Sequence, residues 1–304
     1  MSILSVISIS KNYGPIKALH DVSFEVPKGS VFGILGPNGS GKTTLLGIIT
    51  DVLKASSGNY LWLGKPGSHE QRKQIGTLLE TPNFYPYLSG TDNLAVAAAI
   101  KGRGANDTDR VLEMVNLFQR RKSRFNTYSL GMKQRLAIAS TLLGDPDILV
   151  FDEPTNGLDP AGIAEIRQLI KELNRQGKTI IMASHILDEV EKVCTHVAII
   201  QKGVLKTVGT VEQVLSSTHD ENLQVINIAS NDLTKLGAIV REMPGISAVQ
   251  ITDGAIELTT DSTIDPAEIN RYCFEKGVVL NSLSLKRKSL ETSFLEITGK
   301  KSDR

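Results

Sequence analysis

The sequence of 304 residues has few cysteines, no long apolar run and no recognisable export signal. Its two cysteines, Cys194 and Cys273, are too few for a disulfide framework and do not have CxxC spacing. Such a low thiol content is typical of a protein in a reducing compartment. The longest uninterrupted apolar run, residues 94–100, is far shorter than the roughly 20 residues that cross a bilayer. Residues 1–10 lack the basic and apolar segments of a secretory signal.

The chain also lacks an excess of charge of either sign. Its 34 lysines and arginines and 33 acidic residues leave a net charge of +1. Because bulk binding to DNA or RNA needs a basic excess, we do not expect nucleic acid as a partner. Charged and apolar fractions of 22% and 40% exclude a wholly disordered or collagen-like chain. We expect a soluble, cytoplasmic protein of two domains, since domains average roughly 150 residues.

The hydropathy pattern of the first two thirds of the chain is typical of an α/β fold. Residues 1–35 follow strand patterns, and residues 31–35 form a short, continuously apolar strand. Helical periodicity then predicts a helical subdomain at about residues 85–145. Three further apolar strands interleaved with helical segments predict a core of parallel sheet: residues 148–151, 179–183 and 196–200.

A polar stretch at residues 216–222 predicts a domain boundary. Beyond it, strand and helix signals follow in the order β-α-β-β-α-β, which is typical of a ferredoxin-like fold. The predicted elements are strand 223–229, helix 232–241, strands 246–251 and 254–259, helix 266–276, strand 278–285 and a last helix at 289–297. We therefore expect a first domain at residues 1–216 and a small α+β accessory domain at residues 217–304.

The glycine-rich segment at residues 36–43 fits G-x-x-x-x-G-K-[ST], the pattern of a phosphate-binding loop. Glycines let the backbone turn tightly and direct its N–H groups at phosphate oxygens, and the following helix adds the positive end of its dipole. A chance match is the alternative, but the buried strand before the loop and the helix after it favour nucleotide binding. The expected nucleotide-binding residues are Gly36, Pro37, Asn38, Gly39, Ser40, Gly41, Lys42, Thr43 and Thr44.

Residues 148–153 form an apolar strand that ends in two carboxylates. Ligands of open α/β folds bind at the carboxyl ends of the strands, so this position favours a role in catalysis. Asp152 is predicted to hold Mg²⁺ through water, with the Thr43 hydroxyl as a second ligand, and Glu153 to act as general base on the attacking water. A strand end capped by solvated acids is the alternative.

The sequence Asp-Glu-Pro-Thr-Asn-Gly-Leu-Asp at residues 152–159 completes a set of motifs that resembles the ATP-binding subunits of ABC transporters. The resemblance covers residues 1–216 and rests on motifs in the family's order: Tyr13, the phosphate loop, Tyr-Ser-Leu-Gly-Met at 128–132, Asp152-Glu153, Asp159 and His185. It implies an ABC ATPase, a P-loop NTPase with a parallel-sheet core, an antiparallel N-terminal β part and a helical subdomain. ATP and Mg²⁺ are the implied ligands.

The resemblance also implies a role for each matching residue in binding or hydrolysis. Tyr13 would stack on the adenine ring. Asp152 would be the Walker B aspartate, Glu153 the catalytic carboxylate, and His185 the switch histidine that contacts the γ-phosphate. Taken singly, the tyrosine has a plainer interpretation as a surface aromatic and the histidine as a capping residue, and only their ordered conjunction favours the functional one.

The signature motif and the D-loop of the family imply a dimer. Ser129 and Gly131 would close over the nucleotide held by a second subunit, and Asp159 would lie at the subunit interface. Two ATP molecules would then sit between the halves of a homodimer. Ser129 is equally interpreted as a helix N-cap, and both roles fit one residue, since an exposed helix N-terminus suits a γ-phosphate.

Two positions depart from the usual pattern of the family. In the signature, Leu130 and Met132 replace the third and fifth residues of Leu-Ser-Gly-Gly-Gln, and Met132 cannot hydrogen-bond as glutamine does. At the Q-loop, Glu80 stands where glutamine is usual, and we expect its carboxylate to face Mg²⁺ or the water and to alter the metal dependence of turnover. Both departures, and the C-terminal extension, resemble the branch with bacitracin- and lantibiotic-exporter ATPases.

The resemblance implies a motor subunit in which ATP binding closes the dimer and hydrolysis reopens it. A separate integral-membrane permease would convert this motion into export, with the subunit at the cytoplasmic face of the cell membrane. One alternative is a non-transport ABC ATPase acting on DNA or ribosomes, although those usually carry a long coiled coil or two ATPase units. Another is a scaffold that never turns over ATP, against which the presence of Lys42, Asp152, Glu153 and His185 argues.

Overall fold

The computed structural model describes residues 1–79, 84–216, 223–252, 254–261, 263–286 and 289–299. It divides into two compact units, of which the first comprises Met1–Val214 with the described residues from Ile297 onward, and the second the described residues of Leu215–Glu296. Most of the predicted boundary, at residues 217–222, lies outside the described residues. None of the helices in the described part of the chain combines the length and hydropathy needed to span a membrane.

The first 216 residues alternate between strands and helices in the way the hydropathy pattern predicts. The strands are β1 (Ser2–Tyr13), β2 (Ile16–Pro27), β3 (Val31–Leu35), β4 (Ser57–Trp62), β5 (Lys65–Pro66), β6 (Ile75–Leu78), β7 (Ile148–Asp152), β8 (Thr179–Ser184), β9 (His196–Gln201) and β10 (Val204–Thr210). The helices are α1 (Lys42–Ile49), α2 (His69–Arg72), α3 (Gly90–Lys101), α4 (Thr108–Met114), α5 (Leu130–Thr141), α6 (Pro160–Arg175), α7 (Leu187–Val193) and α8 (Val211–Ser216).

These strands form two sheets. The first is antiparallel, in the order β2-β1-β4-β5, and the second has the order β10-β9-β3-β8-β7-β6. In the second sheet, neighbouring strands from β9 to β6 run parallel and β10 runs antiparallel. Every residue of β3, β7 and β8 is buried, as is usual for parallel strands. Helices α3, α4 and α5, which lie between β6 and β7 in the chain, pack on one another. The predicted fold class is therefore confirmed.

The main apolar core includes residues of both sheets and α1, so it fixes the helix that follows the phosphate loop. Its members include Ile9, Val22 and Trp62 of the antiparallel sheet, Leu46 and Ile49 of α1, Val150 of β7 and Ile181 of β8. Trp62, the single tryptophan, is buried, and its Nε1 donates to the Ile49 carbonyl at 2.8 Å. Its fluorescence should therefore report unfolding of this core.

The second unit is a small α+β unit built from the order of elements that the sequence predicts. The elements are β11 (Leu223–Ser230), α9 (Leu233–Arg241), β12 (Ile246–Thr252), β13 (Ala255–Asp261), α10 (Pro266–Glu275) and β14 (Leu280–Lys286). Helix α11 (Leu290–Thr298) begins in this unit. Its strands form an antiparallel sheet in the order β12-β13-β11-β14. A separate core of strand and helix residues holds it together, among them Ile226, Leu236, Leu258 and Ile269.

One predicted strand of this unit begins later than expected. The sequence predicts a strand from residue 278, whereas β14 begins at Leu280. Gly277 has a φ of +75°, and the Val278 N–H donates to the Cys273 carbonyl at 2.9 Å. Val278 therefore caps the end of α10 instead of opening the strand, as residues after a C-terminal glycine commonly do.

A half-buried lysine at the end of α3 makes stability depend on pH. Lys101 Nζ donates to the Ser140 carbonyl. Burial, and then the charge of Arg103, lowers the pKa of Lys101 to about 8 from 10.5. The folded protein therefore binds the Lys101 proton less tightly than the unfolded chain does. The charged lysine lowers the free energy of unfolding fully below pH 8, and this loss is relieved as the pH rises towards 10.5.

We therefore expect the free energy of unfolding to gain up to about 1.4 kcal/mol per pH unit from Lys101 within this range. Urea unfolding followed by Trp62 fluorescence measures it, and the difference between wild type and Lys101→Met isolates the contribution of this lysine. The exposed Lys17→Met is the control and should keep the wild-type slope. Equal slopes for wild type and Lys101→Met would contradict the assignment.

Candidate functional site

The phosphate loop and the two predicted catalytic residues follow three neighbouring strands of the parallel sheet. Strand β8 pairs with both β3 and β7. The loop 36–43 follows β3, Glu153 follows β7, and His185 follows β8. Because the strands are parallel, these segments lie at the same edge of the sheet, where α/β folds bind ligands. The sheet order thus brings together residues that are far apart in the chain.

At two positions of the phosphate loop, the backbone of other strands lies so close that only glycine fits. A Cβ atom on Gly36 would lie 2.2 Å from the Ile200 carbonyl oxygen. One on Gly41, whose φ is +107°, would lie 2.7 Å from the Ala18 carbonyl oxygen. The Gly203 N–H also donates to the Ser40 carbonyl at 2.9 Å. The loop is therefore held against β2 and β9 at distances that only glycine permits.

The N-terminus of α1 suits an anionic ligand. Its N-cap, Gly41, offers no side-chain hydrogen bond, and its first turn has no acidic residue. The first N–H groups of a helix have no partner within the helix, and they carry the positive end of its dipole. With the glycine contacts, this arrangement fits a phosphate group at the loop.

Lys42, Glu153 and His185 form a continuous chain of contacts. Lys42 Nζ donates to the Gly36 carbonyl at 2.8 Å and lies 3.6 Å from Glu153 Oε1. His185 Nδ1 lies 2.9 Å from Glu153 Oε2. The lysine is buried, whereas a fifth of the Glu153 side chain stays exposed. The carboxylate is therefore oriented by both oxygens while water can still reach it.

The backbone at Glu153 explains how its side chain reaches this position. Glu153 has a φ of +48°, in the left-handed region that side-chain-bearing residues rarely adopt. Its N–H donates to the Ala183 carbonyl at 3.0 Å, which ties the end of β7 to the end of β8. Strained residues of this kind cluster at functional sites, because the surrounding structure must hold them in place.

The residues predicted to hold Mg²⁺ differ in exposure. Asp152 is buried at the end of β7, and Thr43 is exposed in the first turn of α1. No group of three or more His, Cys, Asp or Glu side chains in the described part of the chain could hold a metal ion. A hydroxyl and one carboxylate fit Mg²⁺, which binds through few protein ligands together with phosphates and waters. Glu80, the third predicted ligand, lies outside the described residues.

The signature and D-loop residues form a second group. Ser129 caps α5, and its Oγ accepts the Met132 N–H at 3.3 Å, while Asp159 caps α6 by accepting the Gly162 N–H at 2.9 Å. The two helix N-termini line a groove of about 380 Å³ together with Gly131 and the exposed Leu130. Among the described residues, no hydrogen bond or ion pair joins Ser129, Gly131 or Asp159 to the loop 36–43.

Tyr13 lies at the end of β1, on the antiparallel sheet. The residue is 45% exposed, and Lys11 Nζ lies 5.0 Å from the ring centroid. The neighbouring strand β2 contributes Ala18, whose carbonyl touches the loop at Gly41. The sheet that carries this tyrosine is therefore in direct contact with the phosphate loop, and the exposed ring is free to stack on a flat ligand.

Two buried residues beside the site carry no catalytic motif of their own. Thr155 Oγ1 donates to Glu189 Oε2 at 2.5 Å, and both residues are less than 5% exposed. Thr155 lies within the segment 152–159, and Glu189 lies four residues after His185. No sequence pattern pairs residues 34 positions apart, so only the structure brings them together.

Known protein families and relatives match this chain. A family model described as "ABC transporter" matches residues 19–156. YhcH of Bacillus subtilis, an uncharacterized ABC transporter ATP-binding protein, is 37% identical over 303 residues, which are 98% of this chain and 96% of YhcH. The chain belongs to the ATP-binding proteins of ABC transporters. ABC ATPases hydrolyse ATP to power transport, so the predicted enzyme class is confirmed.

This ABC ATP-binding protein also matches relatives of the predicted branch. The bacitracin transport ATP-binding protein BcrA of Enterococcus faecalis is 31% identical, with 98% of this chain and 96% of BcrA covered. The predicted resemblance to bacitracin- and lantibiotic-exporter ATPases is thus confirmed. Among solved structures, the dimeric post-hydrolysis state of the ATP-binding cassette MJ0796 bound to ADP and Pi is 26% identical, with a TM-score of 0.61. That match covers 68% of this chain and 98% of the other.

Proposed function

We propose that this protein is the motor subunit of an exporter, dimerising around two Mg-ATP and driving a separate membrane-spanning permease from the cytoplasmic face of the membrane. The observation that carries the proposal is the carboxylate of Glu153 held between Lys42 and His185, at 3.6 and 2.9 Å. We assign the ATPase domain to residues 1–216 and a ferredoxin-like accessory domain to residues 217–304, supported by the two compact units and the sheet order of the second.

The residues at the sheet edge suit the separate tasks of phosphoryl transfer to water. The loop 36–43 and the N-terminus of α1 would hold the phosphates, with the Lys42 ammonium exchanging carbonyl partners for phosphate oxygens. Thr43 and Asp152 would hold Mg²⁺, which neutralises phosphate charge when bound. Glu153 would accept the proton of the attacking water, and His185 would keep that carboxylate oriented and contact the γ-phosphate.

The proposal of a dimer rests on the second group of site residues. Ser129, Gly131 and Asp159 lie at two helix N-termini that share a groove with the half-exposed Leu130. Such N-termini favour a phosphate, yet no hydrogen bond or ion pair of the described residues links them to the loop 36–43 of the same chain. A second copy would supply the missing half of each site. The dimeric cassette MJ0796 with ADP and Pi supports this arrangement.

Mixing two inactive variants tests whether each site is shared between chains. Lys42→Ala removes the phosphate-loop amine, and Ser129→Arg fills the α5 N-terminus, so each variant alone should lose ATP hydrolysis. In the proposed dimer each site takes Lys42 from one chain and Ser129 from the other. A heterodimer of the two variants therefore has one site with both substitutions and one site with neither. An equimolar mixture should therefore regain about a quarter of the wild-type rate, because half of randomly paired dimers hold one intact site of two.

The control for this mixture is each variant mixed with itself at the same total concentration. Sedimentation with ATP shows whether the mixed chains pair. If the pairs form and hydrolysis stays at the level of the single variants, each site is complete within one chain, and the proposed dimer is wrong.

A further inference from the structure

Glu189 is a buried carboxylate that the proposed hydrolysis does not use. It lies in the first turn of α7 and is 3% exposed. Its Oε2 accepts the Thr155 hydroxyl, and its Oε1 has no hydrogen-bond partner within the described residues. Burying a carboxylate that accepts only one hydrogen bond, from a neutral hydroxyl, is costly in free energy. An apolar side chain would pack there at lower cost. Packing alone therefore does not explain this residue.

The position of the hydrogen bond suggests what it does. Thr155 lies two residues after Glu153, and Glu189 lies four residues after His185, in the first turn of α7. The bond therefore joins the two segments whose side chains meet in the Glu153–His185 contact of 2.9 Å. The bond from the Glu153 N–H to the Ala183 carbonyl, at 3.0 Å, links the same two segments on the other side of that contact.

We propose that Glu189 is a positioning residue for ATP hydrolysis, which acts by accepting the Thr155 hydroxyl and so fixing the loop after β7 against the start of α7. The inference deepens the proposed function, because it uses Glu153 and His185 in the roles assigned there. With the bond in place, the Glu153 carboxylate keeps its orientation toward His185 and the water. Without it, the strained backbone at Glu153 is free to relax, and the carboxylate moves.

Four single variants separate this role from packing. Thr155→Val and Glu189→Leu remove the hydrogen bond at nearly constant volume, whereas Thr155→Ser and Glu189→Gln keep a donor and an acceptor. We expect the first two to lower kcat about 10- to 100-fold with little change in KM for ATP, since a misplacement of about 1 Å costs that much. The second two should stay within a few-fold of wild type.

The double variant Thr155→Val/Glu189→Leu provides the test of coupling. Because both changes remove one contact, its kcat should equal that of the worse single variant instead of showing the product of both losses. Urea unfolding followed by Trp62 fluorescence shows that each variant is folded. A purely structural role would change the unfolding midpoint and leave kcat unmoved.

Two results would overturn the inference. One is a wild-type kcat in folded Thr155→Val and Glu189→Leu. The other is an equal loss in Thr155→Ser and Thr155→Val, which would show that the hydroxyl does not matter. These rates need only ATP hydrolysis by the subunit, whereas the mixture of Lys42→Ala and Ser129→Arg tests the dimer. Failure of one is therefore distinguishable from failure of the other.

Discussion

Replacing Glu153 by glutamine should lower ATP turnover by about 100- to 10,000-fold and leave ATP binding in place. Glutamine has the same shape, but its amide cannot take the proton of the attacking water. The change also removes the charge that faces Lys42 Nζ at 3.6 Å. Binding should survive because, in the proposed arrangement, the loop 36–43 and the α1 N-terminus would hold the phosphates without this carboxylate.

Phosphate release measures the turnover of this variant, and equilibrium titration with ATP measures its affinity. Glu172→Gln is the matched control, because it makes the same change on the exposed side of α6, where the side chain is 50% exposed. The control should hydrolyse ATP at the wild-type rate. If Glu153→Gln does so as well, another group takes the proton, and the catalytic assignment is wrong.

The variant Gly36→Ala should lose much more free energy of unfolding than a matched glycine variant elsewhere in the chain. Its Cβ atom would lie 2.2 Å from the Ile200 carbonyl and 2.4 Å from Ser40 Oγ. Neither β9 nor the loop can move away without breaking sheet contacts, so the cost should be about 3 kcal/mol or more. Because the loop must shift, ATP binding should be lost in the fraction that folds.

Gly177→Ala is the matched control for this loss. Gly177 has a φ of +91°, but nothing lies within 4 Å of a Cβ atom there. The control should therefore lose only the backbone cost of about 1–2 kcal/mol. Urea unfolding followed by Trp62 fluorescence compares the two variants. A Gly36→Ala protein at least as stable as the control would show that the loop is not confined by β9.

The sequence alone was sufficient for the fold class and the family, because both depend on local patterns. Continuous apolar runs predict the buried strands β3, β7 and β8, and glycines at fixed spacing predict the loop 36–43. The element order of the second unit also follows from local periodicity, apart from Val278, which caps α10 because Gly277 turns the chain there. The roles of Tyr13, Glu80 and the other site residues stay predictions.

Only the tertiary structure decided which of these residues meet. The order β3-β8-β7 places His185 and Lys42 on either side of Glu153, although they are distant in the chain. It also pairs Thr155 with Glu189. No hydrogen bond or ion pair of the described residues links Ser129 to the phosphate loop. These contacts are set by sheet order and by packing between distant segments, and neither leaves a periodic signal in the sequence.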